Sequence, residues 1–539
     1  MTQAAQRAIV AALAAHPEAR GSFAVRGGLL TAALVAPHPR DTEDVDLIAM
    51  PGMTLEHGRR IVREALPGAD EGEVIFAETP FPGLRFLVAI DGETVQLDVG
   101  FDDPLVPPPE TREILGVPVL CPRAETLIAW KLHGLFEHHD GGWRCKDMHD
   151  LWLLLRHAGA DPMWIGPAVL ASFESRDAPL RVTDRLLAEV MGGSSPSRKK
   201  WKSHARHHPD REVPSDLGAV VRDVATALRP IVGPLRARQP DPPAFPLIDE
   251  AGPVLAAARS EPGIRVYPHG ALRVLSYERS SGFPKVEGAV TRAEHLRRAL
   301  IHECRGLTLD AEGRVISRKL HRFYGLRPGD PAPTGRLLAT EKLDGTLVAT
   351  VALPGGPVLH TRRGPSDLAD AALSWAERAD GDWRGLFREQ TALGRTVILE
   401  WCAASHRIVF RHPADRLVLL AVRENAAGRY TPWDELGELA RRHGIELVPD
   451  RGRVHDVEAF VREIAAAPDG EGFVLRDEHG AMYKVKTERY RLLHTVREGP
   501  DHERAALRLL LGGEREVLLD LLEDRPRTGW VEAAERALE

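Results

Sequence analysis

Between Gln239 and Pro246 four of eight residues are proline, in the run Gln239-Pro240-Asp241-Pro242-Pro243-Ala244-Phe245-Pro246. Proline fixes φ, donates no backbone hydrogen bond and turns the residue before it away from the helical region. Neither a helix nor an interior strand runs through such a segment, so it reads as a stiff extended linker. A chain of 539 residues is also too long for one hydrophobic core. The expected organisation is a first domain at 1–236, a linker at 237–248, a second domain at 249–495 and a helical appendage at 496–539.

The net charge is −7 and no apolar run is long enough to span a bilayer. Ala8 to Ala15 is short and stopped by His16, Pro17 and Glu18, which reads as a first helix rather than a signal peptide. Cys121, Cys145, Cys304 and Cys402 are scattered without a Cys-x-x-Cys spacing. That pattern argues against a disulfide framework and structural zinc, and it suits a reducing cytoplasm. Any nucleic-acid surface on a mildly acidic chain is local rather than global.

In the second half, Leu337-Leu338-Ala339-Thr340-Glu341-Lys342-Leu343-Asp344-Gly345-Thr346-Leu347-Val348 reads as a strand, a tight Asp-Gly turn and a second strand. A lysine at the lip of such a turn becomes a nucleophile when desolvation or neighbouring cations lower its pKa. A solvated hairpin is the plainer reading of this motif alone. Later segments of the chain supply the neighbours. A strand ending on Glu400, the buried-strand run Leu417 to Val422, a strand opening on Glu471, and Tyr483-Lys484-Val485-Lys486 with both lysines on one face come in that order. Glu400 and Glu471 suit a divalent ion or a ribose, and Lys484 and Lys486 suit a triphosphate.

These segments resemble the nucleotidyltransferase motifs of covalent lysine ligases, and more narrowly the phage-type RNA ligase 1 family. His302 to Asp310, Gly313 to Lys319, His321 to Tyr324 and Tyr267 to Tyr277 carry the narrower resemblance, which spans about Ile264 to Tyr490. It implies an ATP-grasp-like RNA ligase fold, ATP with Mg²⁺ or Mn²⁺, and Lys342 as the adenylated nucleophile. Glu341, Asp344, Gly345, Glu400, Glu471, Lys484 and Lys486 would line the ATP site, with Arg305 and Lys319 at phosphates and Glu471 also at metal. The strand Leu417 to Val422 lacks the aromatic on which many lysine ligases stack adenine, leaving an aliphatic sandwich as the open alternative. Arg489 to Glu539 reads as helices, with too few strand signals for the OB barrel usual after this motif in DNA ligases and capping enzymes.

In the first half, Arg26-Gly27-Gly28 opens a helical stretch to Leu34, and Arg40-Asp41-Thr42-Glu43-Asp44-Val45-Asp46-Leu47-Ile48 comes next. Asp44 and Asp46 at i, i+2 share a strand face, and Val95-Gln96-Leu97-Asp98-Val99 brings one more carboxylate. Three carboxylates at strand ends can hold two divalent ions, and glycines at a helix start admit a phosphate. With Ala124 to Leu132 and Arg144 to Leu154, these segments resemble AbiEii-type nucleotidyltransferase toxins of the DNA polymerase beta-like superfamily, over about Ala4 to Ala160. The resemblance implies that Gly27 and Gly28 cradle a triphosphate, that Asp44, Asp46 and Asp98 bind metal, and that Lys131 and Asp147 fill later positions. A further NTP would be its substrate. The fold class expected for the whole is α+β and multidomain.

Two clusters lie outside these motifs. His133, His138 and His139 have no known ligand spacing and read as a solvated loop. Arg198-Lys199-Lys200-Trp201-Lys202, then Arg206 and Arg211, is the strongest basic run. Its aromatic suits a single-stranded nucleic acid, and a solvated loop after Gly192-Gly193-Ser194 is the alternative. The expected function is an ATP-dependent RNA ligase fused to a metal-dependent nucleotidyltransferase, acting in the cytoplasm in RNA repair. Its substrate would be a structured or nicked RNA, with tRNA as the leading candidate. No P-loop is visible, so a separate kinase or phosphatase would prepare the ends. The alternative is a toxin-like defence protein that modifies RNA, its ligase half serving target binding or adenylation.

Overall fold

The FAV of strand β1 (Phe23–Arg26) and the LIA of β2 (Val45–Ala49) are buried throughout, as strands of a sheet covered on both faces are. They open a five-stranded sheet of order β1-β2-β5-β4-β3, with β3 at Glu73–Ile75, β4 at Gly83–Ile90 and β5 at Glu93–Gly100. The β2–β5 pair is parallel and sets Asp46 opposite Asp98. Helices Gln3–Ala15, Ala124–Gly134 and Cys145–His157 bury their apolar residues in the same core. A separate hairpin pairs β6 (Glu110–Ile114) with β7 (Val117–Cys121).

The computed structural model describes residues 3–38, 42–79, 81–90, 92–137, 143–208, 213–278, 282–333, 335–498 and 502–523. Arg40, Asp41, His138, His139, Arg211 and the tail beyond Glu523 lie outside the described residues. The chain divides into two units, Met1–Asp241 with Lys285–His295, and Pro242–Pro284 with Leu296–Glu539.

The helix Leu217–Arg238 runs unbroken past Pro230 and Pro234, although proline usually interrupts a helix. Both prolines are exposed, so the carbonyls they release face water and the i→i−4 bonds are lost only on the solvent side.

The second unit is built from three sheets. A four-stranded antiparallel sheet has the order β11-β10-β9-β8, with β8 at Ile264–His269, β9 at Leu272–Tyr277, β10 at Arg305–Leu309 and β11 at Val315–Ser317. A five-stranded sheet has the order β12-β20-β19-β13-β18, from β12 (Tyr324–Gly325), β13 (Leu337–Glu341), β18 (Asp450–Val454), β19 (Gly472–Arg476) and β20 (Met482–Lys486). The third sheet has the order β15-β14-β16-β17, from β14 (Thr346–Val351), β15 (Val358–His360), β16 (Arg395–Cys402) and β17 (Arg416–Glu424).

The Asp-Gly turn after Lys342 therefore does not close a hairpin. Strand β13 pairs with β18 and β19, whereas β14 pairs with β15 and β16. The four residues Lys342 to Gly345 cross from one sheet to another, and that crossing puts Lys342 in the cleft between the sheets. Gly345 is required by the crossing: a Cβ there would stand 2.7 Å from the Trp401 carbonyl oxygen and 2.9 Å from Glu400 Cγ. After β20, helices occupy Glu488–Glu498, His502–Leu511 and Arg515–Leu522, and there is no later strand among the described residues.

Candidate active site

Lys342 stands in a cleft of about 940 Å³. Its Nζ lies 2.6 Å from Glu471 Oε1, and Lys486 Nζ reaches the same oxygen at 2.9 Å. Burial alone would raise the Glu471 pKa, but the two ammonium groups outweigh it and hold the carboxyl below its usual range. Glu400 projects from β16 into the same cleft without an ion pair of its own among the described residues. Burial pushes it up to about 8, although Lys342 pulls the other way. A pair of buried carboxylates is thus split into an ionised one and a neutral one.

The cationic wall is Arg305, Lys484 and Lys486, joined by Arg362 and Arg363 from the segment after β15. Burial, then repulsion from Arg305, Lys486 and Lys342, lowers Lys484 to about 8. Arg305 lies 5.4 Å over the Phe323 ring, and its Nη1 is buried with no partner among the described residues. A site with this excess of convergent cations is built for a polyanion.

The cleft lining also includes an aliphatic set: Leu320, Leu347, Leu420, Val474 and Met482. Strand β17 supplies Leu420 and no aromatic. Arg476 adds a guanidinium to this region, donating Nη2 to the Leu420 carbonyl at 2.8 Å while its buried Nε has no partner among the described residues.

Asp344 is a structural hub. Its Oδ2 accepts from the backbone of Val409 at 2.8 Å and of Phe410 at 2.6 Å, and its Oδ1 accepts from the Tyr490 hydroxyl at 2.6 Å. Tyr490 also lies 4.7 Å beneath Lys486 by its ring centroid. Glu341 and Gly345 line the cleft beside Lys342.

Lys319 is not where it was expected. It is buried at 2% exposure, away from the cleft lining, and its Nζ donates to the Gly306 carbonyl at 2.8 Å. Burial without a carboxylate lowers its pKa to about 7. In this structure its amine therefore holds the β10 backbone and does not face the cleft.

In the first unit, Gly27 has φ +67°, and a Cβ on it would fall 1.8 Å from Asp46 Oδ2. The backbone turn and the carboxylate therefore touch. Gly28 sits as tightly against Thr42, whose hydroxyl donates to Asp44 Oδ1 at 2.7 Å. Burial, then the Asp44 charge, raises the Asp46 pKa, with Asp98 adding to it and Arg26 and Lys146 opposing.

Asp98 is engaged on both oxygens, by Arg85 Nε at 2.9 Å and Nη2 at 2.8 Å. Among the described residues no three acidic, histidine or cysteine side chains converge as a ready metal site. Asp46 and Asp98 nevertheless stand side by side across the β2–β5 pair, with Asp44 close enough to add to the rise that burial causes in the Asp46 pKa. The donor set fits a divalent ion once Arg85 yields Asp98. Lys131, a nucleotide-binding position by the family resemblance, is held by Asp147 at 3.0 Å and Asp150 at 2.8 Å. Trp201 is fully buried and donates Nε1 to the Pro214 carbonyl at 2.7 Å, so it offers no stacking surface.

Arg85, Arg362, Arg363, Arg476 and Tyr490 were not singled out from the sequence. Arg85 alone had a local signal: the Asp91-Gly92 pair marks a hairpin, and counting back from it sets Arg85 opposite Asp98.

Two family models match, one in each half of the chain. Residues 8–229 match the nucleotidyl transferase AbiEii toxin family of type IV TA systems, and residues 303–491 match an RNA ligase family. The two halves of the chain are thus similar, respectively, to an AbiEii-type nucleotidyltransferase and to an RNA ligase domain. A relative from Thermovibrio ammonificans, named "Putative RNA ligase", is 29% identical over 222 residues, which are 38% of this chain and 57% of the relative. The chain thus spans a little over half the length of that curated relative. An archaeal ATP-dependent RNA ligase structure is 17% identical, with 53% of this chain and 73% of that chain covered and a TM-score of 0.34. A Naegleria gruberi RNA ligase with PPi is 16% identical, with 30% and 52% covered and a TM-score of 0.26.

Proposed function

We propose that the second unit is an ATP-dependent RNA ligase that works through a lysyl-AMP intermediate on Lys342. The observation that carries this reading is the convergence on one sheet-crossing turn of Lys342, Glu471, Lys486, Lys484, Arg305 and Glu400. ATP would place its base among Leu347, Leu420, Val474 and Met482 and its phosphates toward the cationic wall.

Lys342 Nζ, after losing a proton, attacks the α-phosphorus. A P–N bond forms, the bond to the bridging oxygen breaks, and pyrophosphate leaves with that electron pair. AMP then passes to an RNA 5′-phosphate, and a 3′-hydroxyl displaces AMP to form the phosphodiester. Lys484, Lys486 and Arg305 offset the charge that develops at phosphorus. Glu471 orients the Lys342 amine, and Tyr490 fixes the turn through Asp344. Glu471 is the residue that would hold Mg²⁺ or Mn²⁺, joined by Glu400 once it gives up its proton, and the ion would supply the positive charge that favours the neutral amine.

The first unit, on this reading, transfers a nucleotide from an NTP to a hydroxyl, with Asp44, Asp46 and Asp98 holding the divalent ion and Gly27 and Gly28 admitting the triphosphate. The pairing of the two centres suits repair of nicked or structured RNA, tRNA being the natural candidate, in the cytoplasm and after a separate kinase or phosphatase has prepared the ends. The match to a toxin family favours a second reading, in which the first unit disables an RNA. Growth arrest on expression, relieved by Asp44→Ala, would support that reading over repair.

The deciding experiment incubates the purified chain with α-³²P-ATP and Mg²⁺ or Mn²⁺ and resolves it on a denaturing gel. A labelled band in the wild type that is lost in Lys342→Ala is expected. A labelled band that survives in Lys342→Ala would overturn the assignment.

A further inference from the structure

We propose that the helix Ser195–His207 is a docking face for an RNA phosphodiester backbone, so that the acceptor served by the first unit's centre is RNA rather than protein. The inference rests on the nucleotidyltransferase reading of that unit and goes beyond it by naming the surface that would hold the RNA acceptor.

The helix carries Arg198, Lys199, Lys200, Lys202 and Arg206 and no acidic residue, in a chain whose net charge is −7. Ser194 caps it, accepting from the Ser197 backbone at 3.3 Å. One face is clamped: Trp201 is fully buried and packs beside Trp143, with ring centroids 6.4 Å apart. The opposite face presents Arg198, Lys199, Lys202 and Arg206 to solvent. Among the described residues Arg198, Lys199 and Lys202 make no salt bridge, and Arg206 Nε donates only to the Lys202 carbonyl, at 3.3 Å.

This arrangement works against the helix that holds it. Arg198 and Lys199 lie near the N-terminus, where the macrodipole disfavours cations. Arg198–Lys202 and Lys202–Arg206 are like-charge i, i+4 pairs, each destabilising by about 0.2–0.5 kcal/mol. A helix selected only for packing through Trp201 has no use for such charges; a polyanion laid along it reverses the sign of both effects. At 1.5 Å per residue the row from Arg198 to Arg206 is about 12 Å long, enough to track several backbone phosphates.

The chemistry of the face selects among anionic partners. It carries no exposed aromatic or aliphatic anchor, which membrane-surface helices and protein interfaces both need. Position points the same way. Lys200 Nζ donates to the Trp143 carbonyl, just before the helix Cys145–His157. The second residue of that helix, Lys146, acts electrostatically on Asp46. The cationic row thus packs against the helix whose start carries Lys146, one of the cations near Asp46.

The test is anisotropy of a fluorescein-labelled, mixed-sequence 24-nucleotide RNA with the full chain across a NaCl series. The combined variant Arg198→Gln, Lys199→Gln, Lys202→Gln, Arg206→Gln should lower the slope of log affinity against log salt by about 3, since each single-strand phosphate contact contributes about 0.7. Affinity at 0.15 M salt should fall on the order of a hundredfold. Arg198→Lys with Arg206→Lys should retain the wild-type slope. If the fourfold variant does not fold, Lys199→Gln with Lys202→Gln should lower the slope by about 1.4.

A 4-thiouridine version of the RNA should crosslink within residues 195–207. An unchanged slope without crosslinks there would overturn the proposal. So would wild-type binding to phosphatidylserine vesicles but not to RNA. Lys342 labelling by α-³²P-ATP should persist in the fourfold variant, so failure of the ligase assignment and failure of this one are read separately.

Discussion

Tyr490 donates its hydroxyl to Asp344 Oδ1 at 2.6 Å, which ties the first helix after β20 to the turn that presents Lys342. Burial, then the neighbouring Glu471 and Asp344 charges, raises the tyrosine's pKa, so it remains a neutral donor. Asp344 already accepts two backbone N–H groups from Val409 and Phe410. The tyrosine therefore sets the position of the carboxylate rather than supplying its only partner.

Removing that donor should loosen the turn without unfolding the unit. Tyr490→Phe keeps the ring over Lys486 and deletes one hydrogen bond to a buried carboxylate, a loss of about 1–3 kcal/mol. If the loss is felt at the turn, the lysyl-AMP formation proposed for Lys342 slows about ten- to hundredfold. Single-turnover labelling of Lys342, with a thermal melt as control, measures it. A wild-type rate in Tyr490→Phe would show that the turn is held by its backbone contacts alone.

Glu400 predicts a pH dependence. Its folded pKa is raised to about 8, above the ordinary value of a glutamate, so the native state holds an extra proton in between. Stability from this group is fully present below about pH 4, declines as pH rises, and is lost by about pH 8. Glu400→Gln removes the titration. Relative to that variant, wild type should lose melting temperature steadily between about pH 5 and about pH 8 and then run parallel to it. Parallel curves across the whole range would mean that Glu400 is ionised throughout.

The pattern Lys342-x-Asp344-Gly345 was legible because its chemistry is local: a lysine, an acidic residue and a glycine within four positions. Its neighbours Glu400, Glu471, Lys484 and Lys486 could be read as strand-end charges in a set order. The sheet-to-sheet crossing could not, because it depends on which distant strands β13 and β14 choose as partners. The same holds for Tyr490 and Arg476, whose roles arise only from long-range contacts. Lys319 and Trp201 misled for one reason. A charged or aromatic residue in a basic stretch looks available in sequence, and burial is what decides whether it is.

Glu303 illustrates a role that no local pattern reveals. It accepts from Arg318 Nε at 3.0 Å and from Arg423 Nη1 and Nη2 at 2.8 Å each, and both arginines are fully buried. Burial would raise its pKa, yet the two guanidinium groups hold it well below the carboxylate range. Glu303→Gln leaves two buried cations with no counter-charge. Breaking a buried pair in this way costs about 3–5 kcal/mol. Urea denaturation of the variant should show a lowered midpoint with an unchanged slope, the product of slope and midpoint falling by that amount. A fall below about 1 kcal/mol would place the hub outside the cooperative core.

Gly27→Ala tests the first unit's centre by itself. The position has φ +67°, where a side chain costs about 1–2 kcal/mol, and the new methyl would overlap Asp46 Oδ2 at 1.8 Å. Asp46 is the obstacle closest to the new atom, so it must swing away from the sheet end where Asp98 lies beside it. The turn can relax only by moving the Gly28 backbone, which is itself wedged against Thr42. Nucleotide binding at this centre should therefore be lost, and with it any transfer from a labelled NTP that Asp44→Ala also abolishes. Labelling of Lys342 should continue, since that chemistry belongs to a different core. Calorimetric titration with an NTP and Mn²⁺ should show two binding events in wild type and one in Gly27→Ala. Two events retained in the variant would mean that the glycine turn does not touch the nucleotide.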